Sequence, residues 1–209
     1  IYDHVIIGSD PQDLSFDTDT KVLSLTEGGT VDLSSLSSSS GSGASALNEL
    51  TDALVEGNSI YIGNDPSSTT NGAKYNVAMG TTALDAVTSG SNNVAIGYDA
   101  LKVNTIGGNN VAIGYDALTT NTAGSKNTAA GFQSLYSNTT GDRNTGSGYK
   151  SLYSNTTGSD NTAHGLESLK SNTTGNRNTA IGYESLVNSS TGSYNTASGF
   201  QSIKWNTTG

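Results

Sequence analysis

The side chains best suited to chemistry in this 209-residue chain are two histidines, His4 and His164, and no cysteine accompanies them. A thiolate zinc site, a disulfide scaffold and a cysteine nucleophile are thereby excluded. His164 occupies one position of a sequence repeat that elsewhere holds Ile96, Ala130 or Ser198. Catalysis needs a convergent set of unlike residues, whereas a repeat supplies rows of like ones. We therefore predict a protein that is not an enzyme and binds no cofactor.

A cluster of aspartates near the beginning of the chain offers the hard oxygen ligands that Ca²⁺ prefers. Its members are Asp10, Asp13, Asp17 and Asp19. Their spacing matches neither an EF-hand nor a glycine-rich calcium repeat. A solvated acidic loop is the favoured interpretation, and we predict no metal site.

Asparagine recurs at two positions of a sequence repeat, in Asn-Thr-Thr segments and at the first position of each copy. Four Asn-Thr-Thr segments match the pattern for N-glycosylation; they begin at Asn138, Asn155, Asn172 and Asn206. Because they fall at one position of the repeat, repeated turn chemistry is the favoured interpretation. The asparagines that open each repeat indicate an asparagine ladder of the kind that stabilises stacked strands.

These residues belong to a repeat of seventeen residues that organises the chain from residue 76 to residue 209. Its first position is asparagine in eight copies, with no insertion or deletion between them: Asn76, Asn93, Asn110, Asn127, Asn144, Asn161, Asn178 and Asn195. A fixed period of this size is typical of stacked coils. We predict an all-β fold, a repetitive parallel β-solenoid or β-roll of 17-residue coils.

Two positions of the repeat are always glycine, which indicates positive φ or an approach too close for a Cβ atom. Position five is Gly80, Gly97, Gly114, Gly131, Gly148, Gly165, Gly182 and Gly199. Position fifteen is Gly90, Gly107, Gly124, Gly141, Gly158, Gly175, Gly192 and Gly209. Position fifteen follows Asn-Thr-Thr and predicts a turn. Position five lies between apolar residues and predicts close packing within a strand.

The other recurrent positions predict two faces. Position three is small and position nine is leucine or isoleucine, while position six is aromatic except at Thr81 and Leu166. The aromatic residues are Tyr98, Tyr115, Phe132, Tyr149, Tyr183 and Phe200. Positions two, four and six are expected to share one strand face, and positions three and five the other. We expect two short strands and two turns in each coil. If these aromatic side chains face outward, they can bind sugars or protein partners; if they face inward, they form core. We favour partial burial at an oligomer interface.

The low apolar content of the chain predicts that copies of it associate. Hydrophobic residues make up 33% and aromatic residues 7% of the chain, so a single coil buries too little apolar surface to offset the cost of ordering it. We therefore predict a parallel homotrimer.

Residues 1–65 carry eleven acids and one base, and residues 66–209 carry seven acids and eight bases. No basic stripe is present to bind nucleic acid, and no apolar run is long enough for membrane insertion.

Residues 1–38 are predicted to form a small β-hairpin or attachment region. Val22–Leu25 and Val31–Leu33 alternate apolar and polar residues on either side of a glycine-containing turn. A lone hairpin is marginal in water. We expect it to pair with other copies of itself or with a preceding strand at Tyr2–Ile7.

Residues 39–58 are predicted to form a Ser/Gly linker followed by a short amphipathic helix or neck at Ala46–Glu56, with an extended conformation as the alternative. Residues 59–209 form the predicted solenoid. Its first coil, residues 59–75, has bulkier side chains in phase with the repeat and is the expected cap. Because the chain opens at Ile1 and stops within a repeat, we expect it to be part of a longer protein.

The repeat resembles the head repeats of YadA-type trimeric autotransporter adhesins. The segments that carry this resemblance are Asn93–Leu101, Asn110–Leu118 and Asn178–Leu186. Similar Asn-Thr-Ala-x-Gly-Tyr repeats resemble those of tailed-bacteriophage fibre proteins. The resemblance covers about residues 59–209 and implies a left-handed parallel β-roll that trimerises. The period of seventeen is longer than the usual head repeat. Two earlier segments, Leu23–Leu33 and Leu47–Asp52, resemble connector segments of virion fibre and appendage proteins.

The resemblance implies a structural fibre or appendage protein on the virion surface, attached to the tail or the capsid and used for host attachment. Its implied partners are two further copies, other virion proteins through the N-terminal region, and a host surface glycan or protein. The alternative is the passenger head of an adhesin on a bacterial cell surface. A third hypothesis is an ice-binding solenoid, since threonine rows occur at positions two, thirteen and fourteen, although they are incomplete.

Overall fold

The computed structural model describes residues 14–17, 22–25, 30–32, 53–63, 66 and 69–206. The chain divides into two units, Ile1–Ala46 and Leu47–Gly209. The described residues of both units are β-strands, turns and bends. The all-β class predicted from the repeat is therefore confirmed.

The first unit contains an antiparallel sheet of three strands, β1 (Leu14–Asp17), β2 (Val22–Leu25) and β3 (Thr30–Asp32), in the order β1-β2-β3. Strands β2 and β3 form the expected hairpin, with Leu23 opposite Val31. The third strand is β1, which a connection of four residues joins to β2. Tyr2–Ile7, Asp10, Asp13 and Asp19 lie outside the described residues.

The second unit is a ten-stranded sheet that runs in sequence order from β4 to β13. Its strands are β4 (Ala53–Glu56), β5 (Ser59–Ile62), β6 (Val77–Met79), β7 (Val94–Ile96), β8 (Val111–Ile113), β9 (Thr128–Ala130), β10 (Thr145–Ser147), β11 (Thr162–His164), β12 (Thr179–Ile181) and β13 (Thr196–Ser198). From β5 onward every pair is parallel, and partner residues are seventeen apart in sequence. The repeat is thus a parallel β-solenoid.

Strand β4 closes one end of the sheet. It pairs antiparallel with β5 through Gly57 and Asn58, whose φ values of 56° and 61° are those of a two-residue hairpin turn. The expected helix is therefore wrong for Ala53–Glu56, where the extended alternative holds. Pairing with β5 satisfies the backbone of these residues and packs Leu54 against the core, whereas a helix this short gains little by itself.

Each coil has one strand, not the two that the sequence predicts. The strand occupies positions two to four, and the remaining residues form turns and bends that also bond along the stack. In the coil that begins at Asn110, the N–H groups of Val111 and Leu118 donate to the next coil at 2.8 and 3.1 Å. Those of Gly114 and Asp116 donate to the preceding coil at 2.8 and 3.0 Å. Stacking therefore satisfies backbone groups around the whole coil.

Three positions that are not glycine have positive φ in each of the seven coils that begin at Asn76 to Asn178. In the coil of Asn110 these are Asp116 at 55°, Leu118 at 51° and Lys126 at 61°. Leucine is rare and strained in this region. Because Leu118 is fully buried and its N–H bonds to the next coil, stacking stabilises a conformation that a separate coil would avoid.

The core is a narrow column of alanine and leucine. Position three is buried in every coil, as the sequence predicts from its small residues, and the leucines at position nine are fully buried from Leu84 to Leu186. In the first coil position three is Tyr61, which is also fully buried. This large ring fills the end of the column beneath the alanines. The hydroxyl of Ser59, at position one of the same coil, accepts the N–H of Asn76 at 2.9 Å.

Candidate binding surfaces

The glycines at position five lie directly after each strand and have φ between 121° and 139°. A Cβ atom on Gly114 would lie 2.5 Å from the carbonyl oxygen of Gly131. The expected close packing is therefore confirmed, but these glycines lie outside the strand and also need the left-handed region. At position fifteen the cause is close packing, since a Cβ atom on Gly124 would lie 2.4 Å from Oδ1 of Asn121.

The asparagines at position one form the expected ladder inside the stack. Asn76 to Asn178 are fully buried. In each step the Oδ1 atom accepts the backbone N–H of the next asparagine, as between Asn110 and Asn127 at 2.9 Å. The Nδ2 group donates to the position-fifteen carbonyl of its own coil, as from Asn110 to Gly124 at 2.9 Å. The ladder therefore uses both ends of every amide.

A second buried ladder occupies position twelve, where the sequence shows the glycosylation pattern. Its members are Asn104, Asn121, Asn138, Asn155 and Asn172, all fully buried. Nδ2 of Asn138 donates to Oδ1 of Asn121 at 2.8 Å and to the carbonyl of Gly141 at 3.0 Å. A buried amide nitrogen with two acceptors is not available for a glycan. Hydrogen bonds repeated from coil to coil therefore account for Asn138, Asn155 and Asn172.

The second ladder ends at Ser189, which occupies position twelve of the following coil. Ser189 is fully buried, and within the described residues neither its Oγ atom nor Oδ1 of Asn172 has a hydrogen-bond partner. Ser189→Asn is expected to raise the free energy of unfolding by about 1–2 kcal/mol, because its Nδ2 group would donate to Asn172. Urea denaturation monitored by circular dichroism measures the change. Ser189→Ala is the control without a donor, and equal stability of the two variants would contradict the prediction.

The aromatic residues at position six form a column on the surface. Neighbouring rings from Tyr98 to Tyr149 stack with centroids 5.2–5.3 Å apart and planes within 15°. Leu166 interrupts the column, and Tyr183 and Phe200 stack beyond it at 5.1 Å. The rings of Tyr98 to Tyr149 are 40–47% exposed. Because each ring face lies against the next ring, the column presents ring edges, and sugars find few open faces on which to stack.

A second, shorter aromatic pair lies at position ten, where the rings of Tyr136 and Tyr153 stack at 5.1 Å. Lys150 joins the two columns, since its Nζ atom lies 5.2 Å from the ring centre of Tyr149 and 5.4 Å from that of Tyr153. These distances are those of cation–π contacts. The sequence predicts the first column but not this pair, although tyrosines 136 and 153 are seventeen residues apart.

An ion pair along the stack sets the charge state of one carboxyl. Nε of Arg143 lies 2.6 Å from Asp160 in the next coil, and this hydrogen bond lowers the pKa of Asp160. The ion pair therefore contributes stability at neutral pH that is lost as the pH falls through the lowered pKa. Arg143→Gln is expected to raise the pKa of Asp160 towards its ordinary value, as measured by carbon-13 NMR titration. Lys126→Gln, two coils from Asp160, is the control that should leave this pKa unchanged.

The side chains at positions two and four lie on the outer side of the sheet, opposite the buried position three. This surface, called the strand face below, includes His164, which is exposed. Among the described residues no group of three or more His, Cys, Asp or Glu side chains could hold a metal ion. The part of the chain that the structure describes also contains no helix long and apolar enough to cross a membrane.

The chain matches no family model, and comparisons with curated proteins and with solved structures find no match. Among the described residues, the exposed surfaces are the aromatic columns and the strand face.

Proposed function

We propose that the chain is a structural fibre or appendage protein of a tailed-bacteriophage virion, in which three copies form a rod or head for attachment to the host surface. The observation that carries the proposal is the in-register stack of seventeen-residue coils with columns of exposed aromatic and aliphatic side chains. Such a stack supplies length and a repeated surface, and an attachment fibre requires both.

The likeness of the repeat to YadA-type heads supports the same proposal. The repeat segments at Asn93–Leu101 and Asn110–Leu118 occur in coils that stack in parallel with exact register, as a β-roll requires. The connector-like segment Leu23–Leu33 favours a virion protein over an adhesin. In this proposal residues 1–38 bind other virion proteins, and the coils contact a glycan or protein of the host.

The trimer is supported by the small amount of apolar surface inside each coil. The core of a coil consists of few apolar side chains, for example Ala112, Ala117 and Leu118 in the coil of Asn110, while the position-six aromatic side chains remain on the surface. Association of three chains would bury part of that surface. Light scattering on the purified chain should give three times the chain mass of 21.3 kDa. A stable monomer would contradict the proposed trimer.

The position of the gene distinguishes the virion protein from an adhesin head. A gene beside capsid and tail genes supports the virion, and a coding sequence that continues into a stalk and a membrane-anchor barrel supports the adhesin. Electron cryomicroscopy of the intact particle would locate the coils directly. Their absence from the virion would overturn the proposal.

The hydrogen bonds of the threonine hydroxyls argue against ice binding, although the sequence spacing of the threonines suggests it. At position thirteen each hydroxyl donates to a carbonyl of the next coil, for example from Thr122 to Thr139 at 3.2 Å and from Thr156 to Thr173 at 3.0 Å. These hydroxyl protons are therefore used inside the protein. A thermal-hysteresis assay with no activity is the expected result.

A further inference from the structure

The first coil, residues 59–75, contains an Asn-Gly pair at Asn71 and Gly72, and no other asparagine of the sequence precedes a glycine. In such a pair the backbone nitrogen of the glycine can attack the side-chain amide of the asparagine and close a five-membered ring. Glycine favours this reaction because it has no side chain to obstruct the approach and because its backbone adopts many conformations. The pair therefore places an electrophile and a nucleophile in adjacent residues.

Both residues of the pair are exposed on the surface of the first coil. Gly72 has φ of 89°, and a Cβ atom at this position would have no heavy atom within 4 Å. The side-chain amide of Asn71 makes no hydrogen bond to any residue that the structure describes. The surroundings of the pair therefore leave room for the ring to close and for water to enter.

The Gly72 N–H donates to no acceptor within the described part of the chain, whereas the corresponding N–H of later coils is bonded. At position fourteen the N–H groups of Ser89 and Ala123 donate to the position-thirteen carbonyl of the next coil at 3.2 Å. In the first coil only Asn71 donates to the corresponding carbonyl, that of Thr88, at 2.6 Å. Reaction at the Gly72 nitrogen therefore breaks no hydrogen bond between coils.

The asparagines of the two ladders lack both conditions. Asn121 is fully buried, and its Nδ2 group donates to Asn104 and Gly124 at 2.8 and 2.9 Å. The backbone nitrogen that follows it, in Thr122, donates to Thr139 at 3.0 Å. Ring closure at this asparagine would require the loss of hydrogen bonds from the amide and from the backbone. Stacking therefore protects the ladders from the reaction.

We propose that Asn71–Gly72 is a site of spontaneous covalent modification that loosens the first coil with time. The Gly72 nitrogen loses its proton to a base in the solvent and bonds to Cγ of Asn71, and the side-chain nitrogen leaves as ammonia. Water then opens the resulting succinimide. Attack of water at Cγ gives aspartate, and attack at the main-chain carbonyl carbon gives isoaspartate, in which the main chain runs through the former side chain.

Both products alter the first coil. Each replaces a neutral amide with a carboxylate, and isoaspartate also adds one methylene group to the main chain. This methylene lies between two points bonded to the next coil: the N–H of Asn71 on Thr88, and the N–H of Lys74 on the Ser91 hydroxyl at 3.1 Å. Because stacked coils keep one period, a longer main chain between these points weakens at least one of the two bonds.

Incubation of the whole chain in mildly alkaline buffer, followed by peptide mass spectrometry, tests the site. Fragment spectra locate each converted asparagine, and labelling by an isoaspartyl methyltransferase identifies isoaspartate. We expect conversion of Asn71 to be at least about tenfold faster than that of Asn121 or Asn138, because its reacting groups are adjacent and unbonded. Equal rates at the three positions, or conversion of Asn71 only when urea unfolds the chain, would overturn the proposed site.

Asn71→Thr is the matched variant, because it gives the first coil the residue that Thr88 supplies at position thirteen of the next. Hydrogen exchange is compared before and after incubation in both chains. In the unchanged chain, incubation should speed exchange of the Ile60 N–H, which donates to Asn76 at 2.8 Å, and leave exchange of the Val111 N–H unaffected. The Asn71→Thr variant should show no change with incubation.

The remaining outcomes separate the modification from its effect on the coil. If Asn71 is converted and the Ile60 N–H still exchanges as in Asn71→Thr, the loosening of the first coil is overturned. If exchange in Asn71→Thr speeds up as much as in the unchanged chain, a different reaction loosens the coil and the proposed cause is wrong. None of these results depends on a trimer or a virion, so the proposed function stands or fails separately.

Discussion

Gly114→Ala is expected to lower the free energy of unfolding by about 3–5 kcal/mol, among the largest effects of any single substitution in the stack. Two causes add. Gly114 has φ of 136°, a region that costs a residue with a side chain about 1–3 kcal/mol. The added Cβ atom would also lie 2.5 Å from the carbonyl oxygen of Gly131 and 2.8 Å from its carbonyl carbon. Neither contact can be relieved unless the two coils move apart.

The effect on Gly114 is measured by urea denaturation together with hydrogen exchange of amides in the coils on either side. Exchange is needed because a stack of repeats can open in part and not as one unit. Gly72→Ala is the matched control, since Gly72 has φ of 89° and no atom within 4 Å of its would-be Cβ. The control should show backbone strain alone. Equal losses in the two variants would show that close packing of the glycines contributes nothing.

Asn127→Ala is expected to cost about 3 kcal/mol, because it leaves a buried donor without an acceptor and removes a second hydrogen bond. Oδ1 of Asn127 accepts the N–H of Asn144 at 2.9 Å, and its Nδ2 group donates to Gly141 at 2.8 Å. The carbonyl of Gly141 keeps the bond from Asn138. The N–H of Asn144 keeps no partner, and it lies where water does not reach.

Denaturation with urea measures the loss at Asn127, and Thr139→Ala is the control from another ladder. The Thr139 hydroxyl donates to the carbonyl of Thr156 at 3.1 Å and is only partly buried. Water can replace this hydroxyl, so we expect a loss of at most about 1 kcal/mol. A loss at Asn127 no larger than that at Thr139 would mean that the buried ladder adds no more stability than a surface hydrogen bond.

The features that depend on residue spacing were predictable from the sequence. The unbroken period specified the register of the coils, and the small residues at position three specified the buried side of the strand. The asparagines at position one specified their ladder, because stacking in register places each of these side chains next to its copy in the adjacent coil. The aromatic column followed in the same way from Tyr98 and its copies.

The features that depend on backbone conformation were not predictable. Leu118 has positive φ, and in this conformation its N–H donates to the carbonyl of Ser134 in the next coil. The local propensity of leucine does not indicate that conformation. The second strand expected in each coil is absent for the same reason. The ladder at position twelve was obscured because Asn-Thr-Thr also matches a turn and a glycosylation pattern. The burial of these asparagines and their hydrogen bonds to one another and to the position-fifteen carbonyl identify the ladder.

The first asparagine ladder also gives the solenoid a direction. Every Oδ1 atom accepts from the coil that follows, and every position-one N–H donates to the coil that precedes, as between Asn144 and Asn161. Within this ladder, a cut between two coils would therefore expose an Oδ1 acceptor on one cut surface and a position-one N–H donor on the other. Two unlike surfaces can join head to tail and restore the hydrogen bonds of the ladder. Two like surfaces cannot, because donors would face donors or acceptors would face acceptors. Segments of this solenoid can thus be joined into longer rods in one orientation only.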